Sequence, residues 1–456
     1  MLSDKKLNEK REDKIMRYKE NNNVIIIDDV MGKGKTSYMI QYINEHPELS
    51  FVYCTPLLAE VRRIKHACPL ANFKEPVYED GGRKIDSFNK LLESGENIVL
   101  THSTFANATE ETLDYIRDSD YVLVLDETLN TLENFNDVCS DNNQKVNKED
   151  IKMLLNHNFI KVDEYGKVSW TADSYLGGKY SDVEKMAKNQ TLLFLDDSML
   201  VWQFPAHIFT LFKEVYVLTY IFDGSILKPY FQYHNISWEK RSVDCHNERY
   251  ELVEYRYDTN ILSQCRQLIE IYDNAKANDF RNKSLSKSWY SKNKSELVKL
   301  KNNLKNFFKN VKKAKSDEIL WTCPKEYQKD LQGAGYTKVR ALSAEERKLP
   351  LSEREKQEKL LSCFLACNMR ATNDYNKRSM LAYCCNMFLN PYIKKYFAKK
   401  NVKDNLHIEV NEELFALCCM IQWVWRSRIR NNEPISIYIP STRMRNLFCD
   451  WLENRI

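Results

Sequence analysis

The sequence predicts an α/β chain of two tandem units, each a parallel sheet flanked by helices, and three observations carry that expectation. Residues 24–37, Val-Ile-Ile-Ile-Asp-Asp-Val-Met-Gly-Lys-Gly-Lys-Thr-Ser, run from an apolar strand into a glycine turn and a helix start. Short apolar runs then recur with helical stretches between them, at 51–54, 97–100, 121–125, 192–195 and 215–218. A second strand and helix series follows at 319–322, 363–367 and 435–439. Bare apolar strands alternating with helices indicate a sheet covered on both faces, whose ligands gather at the carboxyl ends of the strands.

The first element carries the strongest chemical signal. Gly32 and Gly34 allow the backbone to curl around an anion, and Lys33, Gly34, Lys35, Thr36 and Ser37 complete the cradle. Lys35 is placed to reach the β and γ phosphates, the Thr36 hydroxyl to ligate Mg²⁺, and the following helix adds its N-terminal dipole. The P-loop pattern asks for glycine five residues before Gly34, where this chain has Asp29. A chance Gly-Lys-Thr in a surface turn would lack the strand before it and the helix after it.

Composition sets the bounds. A chain of 456 residues has room for about two to three domains, and two fit the strand series. Net charge is only +4, from 68 basic and 64 acidic side chains, so nucleic-acid affinity must come from local patches. The thirteen cysteines lack C-x-x-C clusters and sit largely in apolar stretches, which favours reduced buried thiols in a cytosolic protein. The amino terminus has no apolar signal core, and no apolar run approaches twenty residues. A soluble protein of the bacterial or host cytosol, with no membrane partner, is expected.

In chain order, residues 1–20 read as a charged N-terminal extension and 21–235 as the first domain. An insertion at about 136–190 holds a helix at 148–156 and a hairpin at Tyr165-Gly166. Residues 236–456 read as the second domain. Lysines between 275 and 315, with Trp289 and Tyr290 among them, suit either a nucleic-acid backbone with base stacking or a solvated lysine helix.

Two further constellations matter. Asp126-Glu127 closes an apolar strand about ninety residues after the cradle. An aspartate there holds Mg²⁺ and a glutamate polarises the attacking water, although an acidic pair at a strand end is often merely solvated. The late stretch Gln422-Trp423-Val424-Trp425-Arg426-Ser427-Arg428-Ile429-Arg430, if helical, puts Gln422, Arg426 and Arg430 along one stripe and Arg428 on the far side. Arginine forks at that place suit a γ-phosphate; the bland alternative is an amphipathic helix with core tryptophans and solvated arginines.

Taken in order, these pieces resemble a superfamily 2 helicase core of the DEAD-like kind, over nearly the whole chain. Motif I is matched by residues 32–36. Motif Ia resembles Thr55-Pro56-Leu57-Leu58-Ala59-Glu60, and motif Ib resembles Thr101-His102-Ser103-Thr104. Motif II is similar to Asp126-Glu127-Thr128-Leu129, and motif III to Leu218-Thr219-Tyr220. In the second domain motif IV resembles Trp321-Thr322-Cys323-Pro324, motif V Arg370-Ala371-Thr372-Asn373, and motif VI the Gln422 stretch. Trp425 replaces the motif VI glycine, Ile429 stands where a second arginine is usual, and motif V lacks its glycine-aspartate.

The resemblance implies two RecA-like P-loop domains closing on Mg-ATP and a helicase or translocase acting on single-stranded or duplex nucleic acid. No upstream glutamine motif of RNA-dedicated members is present, so DNA is the expected substrate, and a phage or mobile-element origin fits the composition. Lys35, Asp126, Glu127, Gln422, Arg426 and Arg430 would serve catalysis. Thr36 and Asp126 would hold the metal, and Thr55, Thr101, His102 and Thr372 would contact nucleic acid. A terminase-like packaging ATPase is the second expectation, and a binding protein with a regulatory P-loop the third.

Overall fold

The computed structural model describes residues 24–78, 82–173, 175, 177–281, 283–367, 374–404 and 407–456. The expected extension at 1–20 and the motif V match with Thr372 lie outside them. The chain divides into two compact units. The first holds residues up to Asp28, Gly34–Tyr255 and Asn390–Val410, and the second Asp29–Lys33, Arg256–Leu389 and Asn411–Ile456.

In the first unit β1 (Val24–Asp28) leads through the glycine turn to α1 (Lys35–Glu45), then β2 (Ser50–Thr55) and α2 (Leu58–Ala67). There follow β3 (Ile98–Thr101), β4 (Tyr121–Asp126), β5 (Leu132–Asn134), α3 (Lys148–Asn156), β6 (Ile160–Val162), β7 (Val168–Trp170), β8 (Leu192–Leu195) and β9 (Met199–Gln203). The unit continues with β10 (Glu214–Thr219), β11 (Glu239–His246) and β12 (Arg249–Glu254). Among the described residues seven strands make one sheet in the order β12-β11-β1-β10-β4-β2-β3. It is parallel except for the β11–β12 hairpin. Val122, Leu123, Val124 and Leu125 are without solvent contact, as Val/Leu runs covered on both faces must be.

The expected α/β class with a mostly parallel central sheet is what the chain adopts, with four corrections of detail. The run 192–195 does not resume the main sheet. β8 pairs antiparallel with β9, and β9 with β5, in a separate three-stranded sheet. Asp196 and Asp197, both at positive φ (54° and 48°), turn the chain back between them, a conformation tolerated by Asp side chains. The insertion therefore extends to β9, while its helix 148–156 and its β6–β7 hairpin stand as expected.

The boundary at 235 moves to 255, because β11 pairs in parallel with β1 and so belongs to the first sheet.

The second unit forms a parallel sheet in the order β13-β16-β15-β14, from β13 (Ile269–Ile271), β14 (Ile319–Thr322), β15 (Met380–Tyr383) and β16 (Ile435–Tyr438). The run 363–367 is not one of its strands; Phe364 only bridges to Trp321. β13 and β15 occupy the places that the sequence left unassigned. Of the helices outside the first sheet, α4 (Lys294–Lys305) and α6 (Glu412–Val424) belong to this second unit, whereas α5 (Pro391–Asp404) between them returns to the first. There α5 stacks Tyr396 on Tyr233 at 4.6 Å, and the Tyr392 hydroxyl donates to the Leu132 carbonyl at 3.5 Å.

The two aromatics of the lysine-rich segment differ in burial. Tyr290 is fully buried, donating from its hydroxyl to the Cys384 carbonyl at 2.7 Å, and Trp289 packs on the same core. Tyr290 is thereby enclosed, whereas Trp289 keeps partial solvent contact. All thirteen cysteines are free thiols. No helix among the described residues is long and apolar enough to cross a membrane.

Candidate nucleotide site

Because the strands of the first sheet run parallel, their polar carboxyl-terminal residues meet along one edge. Asp28 of β1 is level with Thr219 of β10, Leu218 with Asp126 of β4, and Thr55 of β2 with Thr101 of β3. One strand, β10, separates β1 from β4, so the ends of those two strands lie about 10 Å apart across the sheet. That span suits a triphosphate with a bridging cation.

The turn itself is built by conformation. Gly32 and Gly34 have φ of 90° and 103°, and Gly34 caps α1 in the left-handed region. The Lys33 amide closes the turn on the Val30 carbonyl at 3.3 Å. A Cβ at Gly32 would meet nothing within 4 Å, so that position needs glycine for its φ alone. Thr36 and Ser37 lie on the first turn of α1, partly exposed. Lys33 departs from a pure phosphate role, since its Nζ pairs with the Asp258 carboxylate at 2.8 Å. Asp29, in the place of the missing glycine, is buried.

Behind the turn lies a buried ionic network that the sequence did not disclose. The Asp28 carboxylate accepts from the Phe222 amide at 3.1 Å and faces Lys240 Nζ at 3.3 Å, and Lys240 also bonds Asp223. Burial pushes the Asp28 carboxyl up from its usual range, against the pull of Lys240. Ile221, next to Phe222 and just after the motif III stretch 218–220, has φ of 55°, a costly conformation for a β-branched residue.

On the acidic side, Asp126 ends β4, with the Tyr53 hydroxyl 3.4 Å from its Oδ2. Burial, then the negative charges of Glu127 and Glu60, push its carboxyl up to about 7, while Arg63 and Lys35 oppose the rise. Glu127 has φ of 68° and its amide donates to the Leu218 carbonyl at 3.0 Å. Two non-glycine residues in strained backbone, Glu127 and Ile221, thus flank one edge, where such strain commonly accompanies function. Glycine fit and crowded acids together suit Mg-ATP: a divalent cation would relieve the carboxylate repulsion that adds to burial in raising Asp126.

A pH dependence follows for the metal-free protein. In the unfolded chain Asp126 ionises near 4, whereas folded it keeps its proton until about 7, so its contribution falls as pH rises from 4 to 7 and stays low above. The whole shift would be worth about 4 kcal/mol, and the partial solvent contact of Asp126 lowers the expected figure to about 2. Urea unfolding of wild type and Asp126→Asn at pH 5 and pH 8 checks this, with the difference between the two pH values smaller in the variant.

Among the expected nucleic-acid contacts, Thr101 and His102 stand partly exposed at the end of β3, with Thr101 Oγ1 2.9 Å from Ser103 Oγ. Thr55 is corrected: it has no solvent contact, being enclosed at the end of β2. In the second unit, Thr322 of the motif IV stretch is likewise buried in β14.

The late arginine stretch differs most from expectation. α6 ends at Val424, Ser427 is extended (φ −86°, ψ −175°), and residues 428–431 form a short 3₁₀ turn. No continuous helical stripe therefore joins Gln422, Arg426 and Arg430. The Gln422 amide donates to Cys418 Sγ at 3.4 Å, Arg426 is buried, and Arg430 is exposed. Arg428 is a structural pin: its Nε donates to the Pro434 carbonyl at 2.6 Å and its amide to the Arg378 carbonyl at 3.0 Å. Both tryptophans are core, with Trp423 Nε1 on the Leu365 carbonyl at 3.1 Å and Trp425 edge-on to Trp451. Trp423→Ala is expected to cost about 3–5 kcal/mol of unfolding free energy, read from denaturant melts.

Comparison with known proteins adds a relative. The SPbeta prophage-derived protein YonV of Bacillus subtilis (strain 168) is 37% identical over 448 residues, covering 95% of this chain and 99% of the relative. The chain belongs to the YonV family. Two family models match within it, the YonV C-terminal Rossmann-like domain over 263–452 and the YonV middle domain over 142–202. The middle-domain match begins inside the expected insertion and ends at β9, in agreement with the extended insertion seen in the fold. Among the solved structures that align in fold are two XPD proteins. Xpd4 of S. tokodaii aligns at 13% identity and a TM-score of 0.49, covering 97% of each chain. A second XPD helicase aligns at 12% and 0.48, covering 98% of this chain and 97% of its own.

Proposed function

We propose that the chain is an ATP-dependent nucleic-acid helicase or translocase. One observation supports this above all: a glycine turn with Lys35 and Thr36, and an acidic pair with a strained glutamate, stand at the same edge of one parallel sheet with a single strand between them. In this reading Gly32, Lys33, Gly34, Lys35, Thr36 and Ser37 hold the phosphates, and Thr36 with Asp126 hold Mg²⁺. Held there, the cation would supply positive charge to offset that of the phosphate chain. Glu127 orients and deprotonates the attacking water. Lys35, whose charge already acts on Asp28 and Asp126, balances the γ-phosphoryl oxygens.

Gln422, Arg426 and Arg430 are the second unit's candidates for sensing the γ-phosphate. The exposed Arg430 is the better placed of the two arginines to meet a ligand, since Arg426 is enclosed. Thr101, His102 and Thr372 are proposed backbone contacts, and DNA is the favoured nucleic acid. The test is ATP hydrolysis with and without single-stranded DNA, followed by strand displacement on matched DNA and RNA duplexes. Turnover that rises with single-stranded DNA is expected. No turnover under any of these conditions would remove the motor reading.

A further inference from the structure

The nucleotide turn has two sides. β10 and then β4, with its acidic pair, lie on one side of β1, and β11 with β12 lies on the other. With the γ end of a triphosphate turned toward Asp126, the flank of β1 away from β4, where the β11–β12 hairpin lies, is the side left for the nucleoside. On that side one aromatic ring rests on the turn. A Cβ added at Gly34 would lie 2.3 Å from Cε1 and 2.8 Å from Cδ1 of Tyr250, so the ring approaches as closely as only glycine permits.

Tyr250 is also held in place from below. The Gln41 side-chain amide accepts from the Tyr250 amide at 2.9 Å and donates to its carbonyl at 3.0 Å. Next to it, Arg249 reaches Glu45 at 3.4 Å. Gln41 and Glu45 belong to α1, the helix that carries Thr36 and Ser37 at its start. The ring is thus fixed to the same rigid element as the phosphate contacts, and it is partly exposed.

We infer that Tyr250 is the stacking platform for the base of the nucleotide bound at residues 32–36. The inference rests on the nucleotide reading above and adds what that reading leaves open, which is how the ligand's nucleoside end is recognised. A ring offers a π-face to any base, so the platform favours nucleotides over bare polyphosphate without selecting strongly among bases.

The experiment measures dissociation constants of ADP and of inorganic tripolyphosphate, with Mg²⁺, for the full chain and for Tyr250→Phe, Tyr250→Leu and Tyr250→Ala. Tyr250→Leu keeps apolar bulk against Gly34 and covers the case in which Tyr250→Ala fails to fold, with circular dichroism as the folding check. Expected are an ADP affinity about tenfold weaker for the Leu and Ala variants, an unchanged tripolyphosphate affinity, and near wild-type values for Tyr250→Phe. Equal weakening of both ligands would show that the ring only props the turn, and no weakening of ADP would show that the base lies elsewhere; either overturns the inference. Wild type binding neither ligand would instead overturn the nucleotide reading on which it stands.

Discussion

Glu127→Gln is expected to lower kcat for ATP hydrolysis by about a hundred- to ten-thousandfold while leaving ADP binding intact. The amide matches the carboxylate in shape but accepts no proton from water, so the loss falls on the chemical step. The backbone makes a second readout available. Glu127 sits at φ of 68°, with its amide on the Leu218 carbonyl, and a non-glycine residue held there costs about 1 kcal/mol or more. Glu127→Gly should therefore stabilise the fold by about 1 kcal/mol while removing turnover. Gain of stability with loss of activity is the pattern of a residue strained for function. A Glu127→Gln variant with wild-type turnover would take the water-activating role away from this residue.

Lys35→Ala is expected to reduce kcat/KM by about a hundred- to a thousandfold, and unlike Glu127→Gln it should weaken nucleotide binding too. In the proposed function the ammonium group would serve the ground state as well as the transition state, because it would neutralise phosphate oxygens in both. It has a further duty in the free protein. Its positive charge counters the rise of both Asp28 and Asp126, whose carboxyls are already pushed up by burial. Without it, Asp126 would hold its proton to higher pH, so the variant should lose stability more steeply than wild type as pH rises. Stopped turnover, ADP calorimetry and urea melts at pH 5 and pH 8 separate these effects. Retained turnover in Lys35→Ala would end the enzyme reading.

The two elements that carry these predictions were legible from the chain because each is contiguous. A strand, a glycine turn and a helix start occupy residues 24–37, and the chemistry of an acidic pair needs only a strand before it. The helix at 148–156 was legible for a similar reason, since Asn147 and Asp150 cap each other's backbone amides at its start. Residues 192–195 misled because an apolar strand reads the same whether its partner is a parallel neighbour or, across the Asp196-Asp197 turn, an antiparallel one.

The arginine stretch misled for another reason. It contains no glycine or proline to stop a helix, yet Trp423, Trp425 and Arg426 are all enclosed, on directions that one continuing helix would spread around its circumference. Packing of Trp423 against the Leu365 carbonyl and capture of Arg428 by Pro434 and Arg378 settle the break at Ser427. Tertiary contacts here outweigh a propensity worth only tenths of a kcal/mol per residue.

What the sequence by itself determined is the chemistry on offer: which groups suit a phosphate, which are acidic, and that each closes a buried strand. What only the tertiary structure decided is adjacency: β10 between the turn and the acids, the Asp28–Lys240 pair beneath them, and Tyr250 against Gly34. The physical reason is range. Turn conformation and side-chain chemistry are set within a few residues, whereas strand order and the approach of residue 250 to residue 34 depend on hydrogen bonds and packing between segments more than two hundred positions apart.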